Sequence, residues 1–457
     1  MKMKKVLAAL LTLSMLACVC SVSAAAVDID YTIENPYQAV DWGTWGQYKA
    51  DFHCHTIASD GTTDFADMVK CHYDQGFDVL AITDHNTISY SWTEQNIVPV
   101  IKFAGMMSRK IYKIPTMLTQ QEYDDIQNGV GRGGRGMLRV PNGVELNTLG
   151  INNHINAFFT DYGNGVQGVF GDYETPINKV EQSGGLTVIN HPGEYTGAKE
   201  YDDNGAKTYG DGKYADKFAK LFLDYSTCLG IDINSKEDGR TKNDRVLWDQ
   251  VLQRTIPHGR NVFCFATSDA HSVNVVGCGW TVMCMEENTV ENLRNCMETG
   301  AFFAASRFDK NISEVARLSE EVGRDLGTTF EAEEGAPTPK VNSIIVNNAA
   351  DSITIEAENS EIIEWIADGK VIATGSTLHL DDYSQEIGSY VRAQVFGEGG
   401  ILYTQAFTLS YDGAPAAQEI PEVHDGSKLL RQIADFVYNI LSKSYIFSWI
   451  VGMLQGW

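Results

Sequence analysis

His53-Cys54-His55 begins a series of residues of the kinds that hold divalent metals. It continues through Ser59-Asp60-Gly61, Thr83-Asp84-His85, Glu145, His154, His191-Pro192 and Asp269-Ala270-His271. Six of the chain's ten histidines fall within it. Neutral imidazole nitrogens and carboxylate oxygens together suit Zn, Mn or Fe. Several such ions in one site polarise an ester and acidify water, so the chemistry these residues suggest is metal-assisted hydrolysis. Any one of these residues taken alone reads better as a hydrogen-bonded structural group; the ordered set points to a site. The residue types leave the scissile bond open.

Side chains so far apart in sequence need a scaffold that returns to one edge again and again. Seven short apolar runs supply candidate strands: 49–55, 79–83, 143–146, 154–159, 186–190, 228–233 and 262–268. They are rich in Val, Ile and Phe, as strands buried on both faces are. Most of the segments between them are long enough for crossover helices, and 64–75 and 289–299 carry helical patterning. Only a short loop separates 146 from 154, which is hairpin spacing. The expectation is an α/β domain of barrel type over residues 48–308, with its chemistry at the carboxyl ends of the strands. His53, His55, Asp84, His85, Glu145, His191, Asp269 and His271 all fall at or just past such ends. His53 and His55, two apart on a strand, should share a face and turn Cys54 into the packing layer. Loops 86–105 and 193–216 should rise from the same rim, the latter carrying Tyr195, Lys199, Tyr201, Lys207, Tyr209 and Tyr214. Arg132-Gly-Gly-Arg135 precedes a strand and belongs to the opposite face. His72 and His258 lie outside the pattern and read as surface or packing residues.

The remainder of the chain carries no catalytic grouping. Lys2, Lys4 and Lys5 before an apolar run to Val22, then Ser23-Ala24-Ala25-Ala26, read as a signal peptide over residues 1–26 and an exported protein. After a connecting segment, 309–341, residues 342–410 alternate as strands do, with Asp368-Gly369 as a hairpin turn, and suggest a small all-β sandwich. His379 sits between Leu378 and Leu380 and should face solvent. A linker, 411–426, leads to an amphipathic and then apolar C-terminal helix, 427–457. Its apolar run, 445–454, is too short for an ordinary span but suited to a membrane interface or to docking on the protein. Seven cysteines remain beyond the leader, without CxxC spacing, and Cys54 and Cys264 read as core residues. A net charge of -25 argues against an extended nucleic-acid surface.

HxH, SDG, TDH, a central Glu, HP and DAH in this order resemble the PHP (polymerase and histidinol phosphatase) superfamily, over roughly residues 48–308. The resemblance implies a distorted (β/α)7 barrel holding two or three divalent ions, Zn, Mn or Fe. It implies that His53, His55, Glu145 and Asp269 hold the first ion, and that Glu145 bridges to a second completed by His154 and His191. Asp60, His85 and His271 would hold the third. Asp84 then reads as a group that orients a ligand or strand end, and Asp232 and Asn234 as further supports. Arg307 is a candidate contact for an anionic substrate, set against a structural ion pair.

The function expected is an exported phosphoesterase using hydroxide shared between metals on a small phosphomonoester or phosphodiester. A carbamate or carboxyl-ester hydrolase of the carbaryl-hydrolase-like type uses the same ligands and stands as the alternative. A surface-binding protein with a relic barrel stands third and would have eroded ligands, whereas all nine positions are filled.

Overall fold

The computed structural model describes residues 29–98, 101, 113–148, 153–165, 167, 171–198, 206–423, 433, 436 and 440. The expected signal peptide, most of the C-terminal helix, and Lys199 and Tyr201 lie outside the described residues. The fold is mixed α/β. Its strands, in chain order, begin with β1 (Thr32–Glu34), β2 (Gly46–Asp51), β3 (Val79–Leu80), β4 (Leu138–Arg139) and β5 (Val144–Asn147). There follow β6 (His154–Phe158), β7 (Leu186–Ile189), β8 (Cys228–Asn234) and β9 (Phe263–Ala266). Each of the seven candidate runs thus overlaps a strand; β2, β3 and β9 stop two to four residues short of their runs, where the chain turns into the site, whereas β5 and β8 extend one residue past theirs.

These strands fall into two ladders and do not form one closed sheet. β2, β3 and β4 pair in parallel. β5 to β9 form a five-stranded sheet in sequence order. Within it β6 is antiparallel to both β5 and β7, which makes β5–β6 the hairpin its short loop foreshadows, and β7, β8 and β9 are parallel. Isolated parallel bridges, His85 to Glu145 and Cys54 to Ala270, link the two ladders at the end where the ligand-type residues lie. The other edge of β2 pairs antiparallel with β10 (Gly279–Met285), which in turn pairs with β11 (Phe302–Ser306). Neither strand was distinguished in the sequence from the helical region and tail around it.

Helices fit their sequence signals. Asp64 caps Phe65–Asp74 by accepting a bond from the Phe65 amide, and Thr289 caps Val290–Thr299 through the Asn292 amide. The first buries Phe65, Met68, Val69 and His72 on one face.

Beyond β12 (Phe308–Asp309) and β13 (Phe330–Glu331) come β14 (Lys340–Asn347), β15 (Ser352–Glu358), β16 (Ile362–Ala367), β17 (Lys370–Thr374) and β18 (Thr377–His379). β19 (Tyr390–Gly397), β20 (Gly400–Tyr403) and β21 (Phe407–Ser410) complete the set. Asp368 and Gly369, both with positive φ, make the β16–β17 turn. β14, β15 and β18 form a separate small sheet, whereas β16, β17, β19, β20 and β21 continue the ladder of β11 and β10. Every residue of β19 is buried, because this strand lies against the helical side of the α/β part as well as in its own sheet. Arg392 on β19 clasps Asp249 with Nε at 2.8 Å and Nη2 at 2.7 Å, and Gln394 donates to Glu314 at 2.7 Å. His379 is exposed. All seven described cysteines are free thiols, and six of them, including Cys54 and Cys264, are buried. No described helix is long and apolar enough to cross a membrane.

Candidate metal centre

The nine ligand-type residues come together. The β2 ladder ends at Asp51, but pairing continues: the Thr83 amide donates to the Cys54 carbonyl and the His55 amide to the Ala270 carbonyl. This extended stretch sends Cys54 into the core and both histidines to the other side, where their Nε2 atoms lie 3.1 Å apart. Asp60 arrives on a turn closed by Gly61, where a Cβ would fall 2.8 Å from the His55 carbonyl carbon and oxygen. That contact is a steric reason for glycine in Ser59-Asp60-Gly61. Asp84 holds the same turn: it accepts from the Thr56 amide at 2.8 Å, the Thr56 hydroxyl at 2.7 Å and the Ser59 hydroxyl at 2.6 Å. His191 and Asp269 sit at strand ends with φ of 27° and 45°. Left-handed backbone at a residue with a Cβ costs on the order of 1–3 kcal/mol, and such strain gathers at functional sites.

Glu145, fully buried on β5, is the hub. Its Oε1 lies 3.1 Å from His53 Nε2, 3.0 Å from His154 Nδ1 and 3.4 Å from His191 Nε2. Its Oε2 lies 2.8 Å from His85 Nδ1 and 3.3 Å from His55 Nε2. Asp269 Oδ1 approaches His53 and His55 at 3.3 and 3.2 Å. Asp60 Oδ1 faces His85 and His271, each at 3.3 Å. Four overlapping groups could each hold an ion: His55, Asp60, His85 and His271; His53, His55 and Asp269; His53, Glu145 and His191; and His85, Glu145 and His154. The donor set fits such ions on a further ground. His53 Nδ1 and both ring nitrogens of His191 are buried without a hydrogen-bond partner among the described residues. Buried polar atoms are seldom left so.

The electrostatics suit ligation. Burial drives His53 down to about 3 and His271 to about 4, and it also lowers His154 and, with Lys236 nearby, His191. These imidazoles are therefore neutral near pH 7, with lone pairs available. Burial alone would raise Glu145, but His154, His53 and His85 outweigh it and hold the carboxyl well below its usual range. Burial also opposes charge on His85, yet Glu145 and Asp60 overcome it and raise this imidazole well above its ordinary value.

Supporting residues surround the cluster, and of these the sequence named only Tyr195, on the 193–216 loop. Asn190 Nδ2 donates to Glu145 Oε1 at 2.9 Å. His154 Nε2 lies 2.6 Å from Asn147 Nδ2 and 2.9 Å from the Tyr195 hydroxyl. Lys236 forms an ion pair with Asp269 Oδ2 and approaches Glu194, whose carboxylate also lies 3.5 Å from His191 Nδ1. Their shared signal was position, since all lie at or just beyond strand ends. Below the ligands, Asp51 accepts from the His53 amide and the Ser268 hydroxyl and contacts His72 Nε2 at 3.2 Å, so His72 packs under the site. Asp232 and Asn234 act within the scaffold: Asp232 accepts from the Thr267 hydroxyl and the Asn234 amide, and Asn234 donates to the Phe308 carbonyl. Arg307 is spent elsewhere. Its Nη2 donates to the carbonyls of Ala332 and Glu333 at 3.0 and 2.7 Å, pinning the segment after β13. Arg132 and Arg135 both clamp Asp78, just before β3, at the end remote from the ligands.

No family model matches the chain. A 5'-3' exoribonuclease of Haemophilus influenzae is 24% identical over 254 residues, 45% of this chain and 84% of that protein. Among solved structures, a two-domain protein from Bacteroides vulgatus containing a predicted PHP-like metal-dependent phosphoesterase is similar over 81% of this chain and 88% of its own. Its identity is 14% and its TM-score 0.39. PsfC from Pseudomonas syringae is similar over 52% of this chain and 82% of its own, with 17% identity and a TM-score of 0.32. Identities and TM-scores this low carry no argument on function; the residues of the cluster do.

Proposed function

We propose that this chain is a metal-dependent hydrolase of the PHP type, and specifically a phosphoesterase acting on a small phosphomonoester or phosphodiester. One observation carries the proposal: a single buried carboxylate, Glu145, turns its two oxygens toward two different sets of imidazoles. That is the arrangement of a ligand shared between two cations. His53, His55, Asp60, His85, Glu145, His154, His191, Asp269 and His271 would hold two or three divalent ions. Bound there, such ions would supply positive charge to a phosphoryl group and acidify water.

The chain's own residues prepare the site for that charge. Asn190 fixes one oxygen of Glu145, and Tyr195 and Asn147 hold the plane of the His154 ring. Asp84 locks the turn that carries Asp60, so it acts by positioning a ligand. His53, His55, Glu145 and His191 are sealed from solvent, whereas the His271 side chain is 35% exposed. Substrate is therefore proposed to enter on the side of His271, His85 and Asp60. Strands β2, β3 and β5 to β9 of the two bridged ladders, with β4 at an edge, are read as the wall of a distorted seven-stranded barrel over residues 48–308, with 342–410 as a β-rich unit built onto it. Residues 1–26 are proposed to direct export.

The test is a side-by-side screen of the purified mature protein. Metal content is measured, and aryl phosphomonoester, phosphodiester, carboxyl-ester and carbamate substrates are compared after loading with Zn, Mn or Fe. Turnover of phosphate esters, with two or three ions per chain, is the expected result. Turnover of carboxyl esters or carbamates without phosphate esters would replace the phosphoesterase reading with the other hydrolase class.

A further inference from the structure

The turn after β8 carries a feature that the ligand set leaves unexplained. Lys236, Glu237 and Asp238 are three consecutive residues with φ of 49°, 55° and 55°. Side chains with a Cβ rarely adopt this left-handed region, and three in a row do so only where surrounding contacts impose it. Those contacts are present. The Asp238 amide donates to the Ser235 carbonyl at 2.7 Å, and Thr241 Oγ1 accepts from the Ser235 amide at 3.0 Å. The buried Asp238 carboxylate accepts from Arg245 Nη1 at 3.1 Å and from the Lys310 amide at 2.8 Å. The locked turn delivers the Lys236 ammonium to the edge of the ligand cluster, between Asp269 and Glu194. Glu194 is itself held by Arg240 Nη1 at 2.5 Å, so the lysine is aimed by a fixed carboxylate. Its side chain is only 17% exposed.

We propose that Lys236 is a substrate-binding residue that recognises the anionic oxygens of a phosphate ester and so sets the specificity of this site for anionic over neutral esters. The proposal rests on the phosphoesterase reading and names the residue that enforces it. A compact ammonium with three donors suits a non-bridging phosphate oxygen beside the ions, whereas a neutral carbamate or carboxyl ester presents no full negative charge to it. Asp269 takes one donor of the ammonium and Glu194 faces another at 3.6 Å, which leaves the third for substrate. No bond is made or broken by Lys236 in this role.

The test compares wild type, Lys236→Met and Lys236→Arg, each loaded with the metal that supports activity. Metal content, binding of inorganic phosphate by calorimetry, and kcat and KM for an aryl phosphate are measured. The expected result is an unchanged metal content in Lys236→Met and phosphate binding weakened at least tenfold. KM for the aryl phosphate should rise by a similar factor, with partial recovery in Lys236→Arg. Unaltered phosphate affinity in Lys236→Met would overturn the proposal, as would loss of metal in proportion to loss of binding. If wild type itself neither binds phosphate nor turns over a phosphate ester, the functional reading fails first, and that outcome is visible without any variant.

Discussion

Replacing Glu145 with glutamine tests the centre at its hub. The change keeps the side chain's shape and removes one negative charge from a site where five imidazoles lie within 3.4 Å of its oxygens. An amide also presents one oxygen, so it can serve one of the two ligand sets and not both. At an effective dielectric of about 20, two unit charges about 4 Å apart interact by roughly 4 kcal/mol. Each doubly charged ion beside the lost carboxylate should then weaken by three decades or more in affinity, since about 1.4 kcal/mol is a factor of ten. The assay is dialysis against metal buffers followed by elemental analysis, with turnover measured on the same samples. Wild type should retain its full complement at free metal levels where Glu145→Gln has lost at least one ion, and turnover should vanish in parallel. A variant that keeps all its metal and hydrolyses ester within tenfold of wild type would refute the bridging role.

Three further outcomes follow from the same geometry. Because Glu145 and Asp60 hold His85 protonated in the metal-free cluster, metal loading near pH 7 should release about one proton per chain, and affinity should fall as pH falls; titration in weak buffer showing no release would contradict this. Asp51→Asn weakens the brace beneath both the His53 and the Ser268–Asp269 strand ends. It should cost about 10–100-fold in metal affinity and alter the absorption spectrum of the cobalt-loaded protein, while the melting temperature without metal moves little. Arg245→Met strands Asp238, Asp309 and Glu314, which the guanidinium reaches at 3.1, 3.2 and 2.9 Å. The expected loss is about 3–5 kcal/mol in denaturant unfolding. Burial already raises Asp238 and Asp309. Without the arginine their folded values rise further, so the loss should grow as pH climbs above the unfolded carboxyl range; an equal loss at pH 5.5 and 8 would count against it.

Much of the site could be read from residue types because metal ligation restricts them severely. Imidazoles and carboxylates placed after apolar runs have few other reasons to recur, so His53, His55, Asp60, His85, Glu145, His154, His191, Asp269 and His271 were identifiable, and they do converge. The strands beneath them were identifiable because runs of Val, Ile and Phe bury both faces. Lys236 was not, since a single lysine after a strand is indistinguishable from a solvated one until the turn at Asp238 is seen to aim it. Arg307 shows the converse: its position after the apolar run 302–306 left a substrate contact and a structural ion pair open, and only the structure shows it bonded to the Ala332 and Glu333 carbonyls.

By itself, then, the amino-acid order determined which groups could bind cations and roughly where each strand carrying them would lie, because those properties belong to individual side chains and local periodicity. Tertiary structure alone decided how the ladders divide, that β10 takes the free edge of β2, and that β19 and its neighbours extend the same sheet. It also set the distances at which Glu145, expected from the resemblance to bridge, faces its two ligand sets. Those outcomes depend on which backbone edges meet across hundreds of residues, and no local pattern encodes such a meeting.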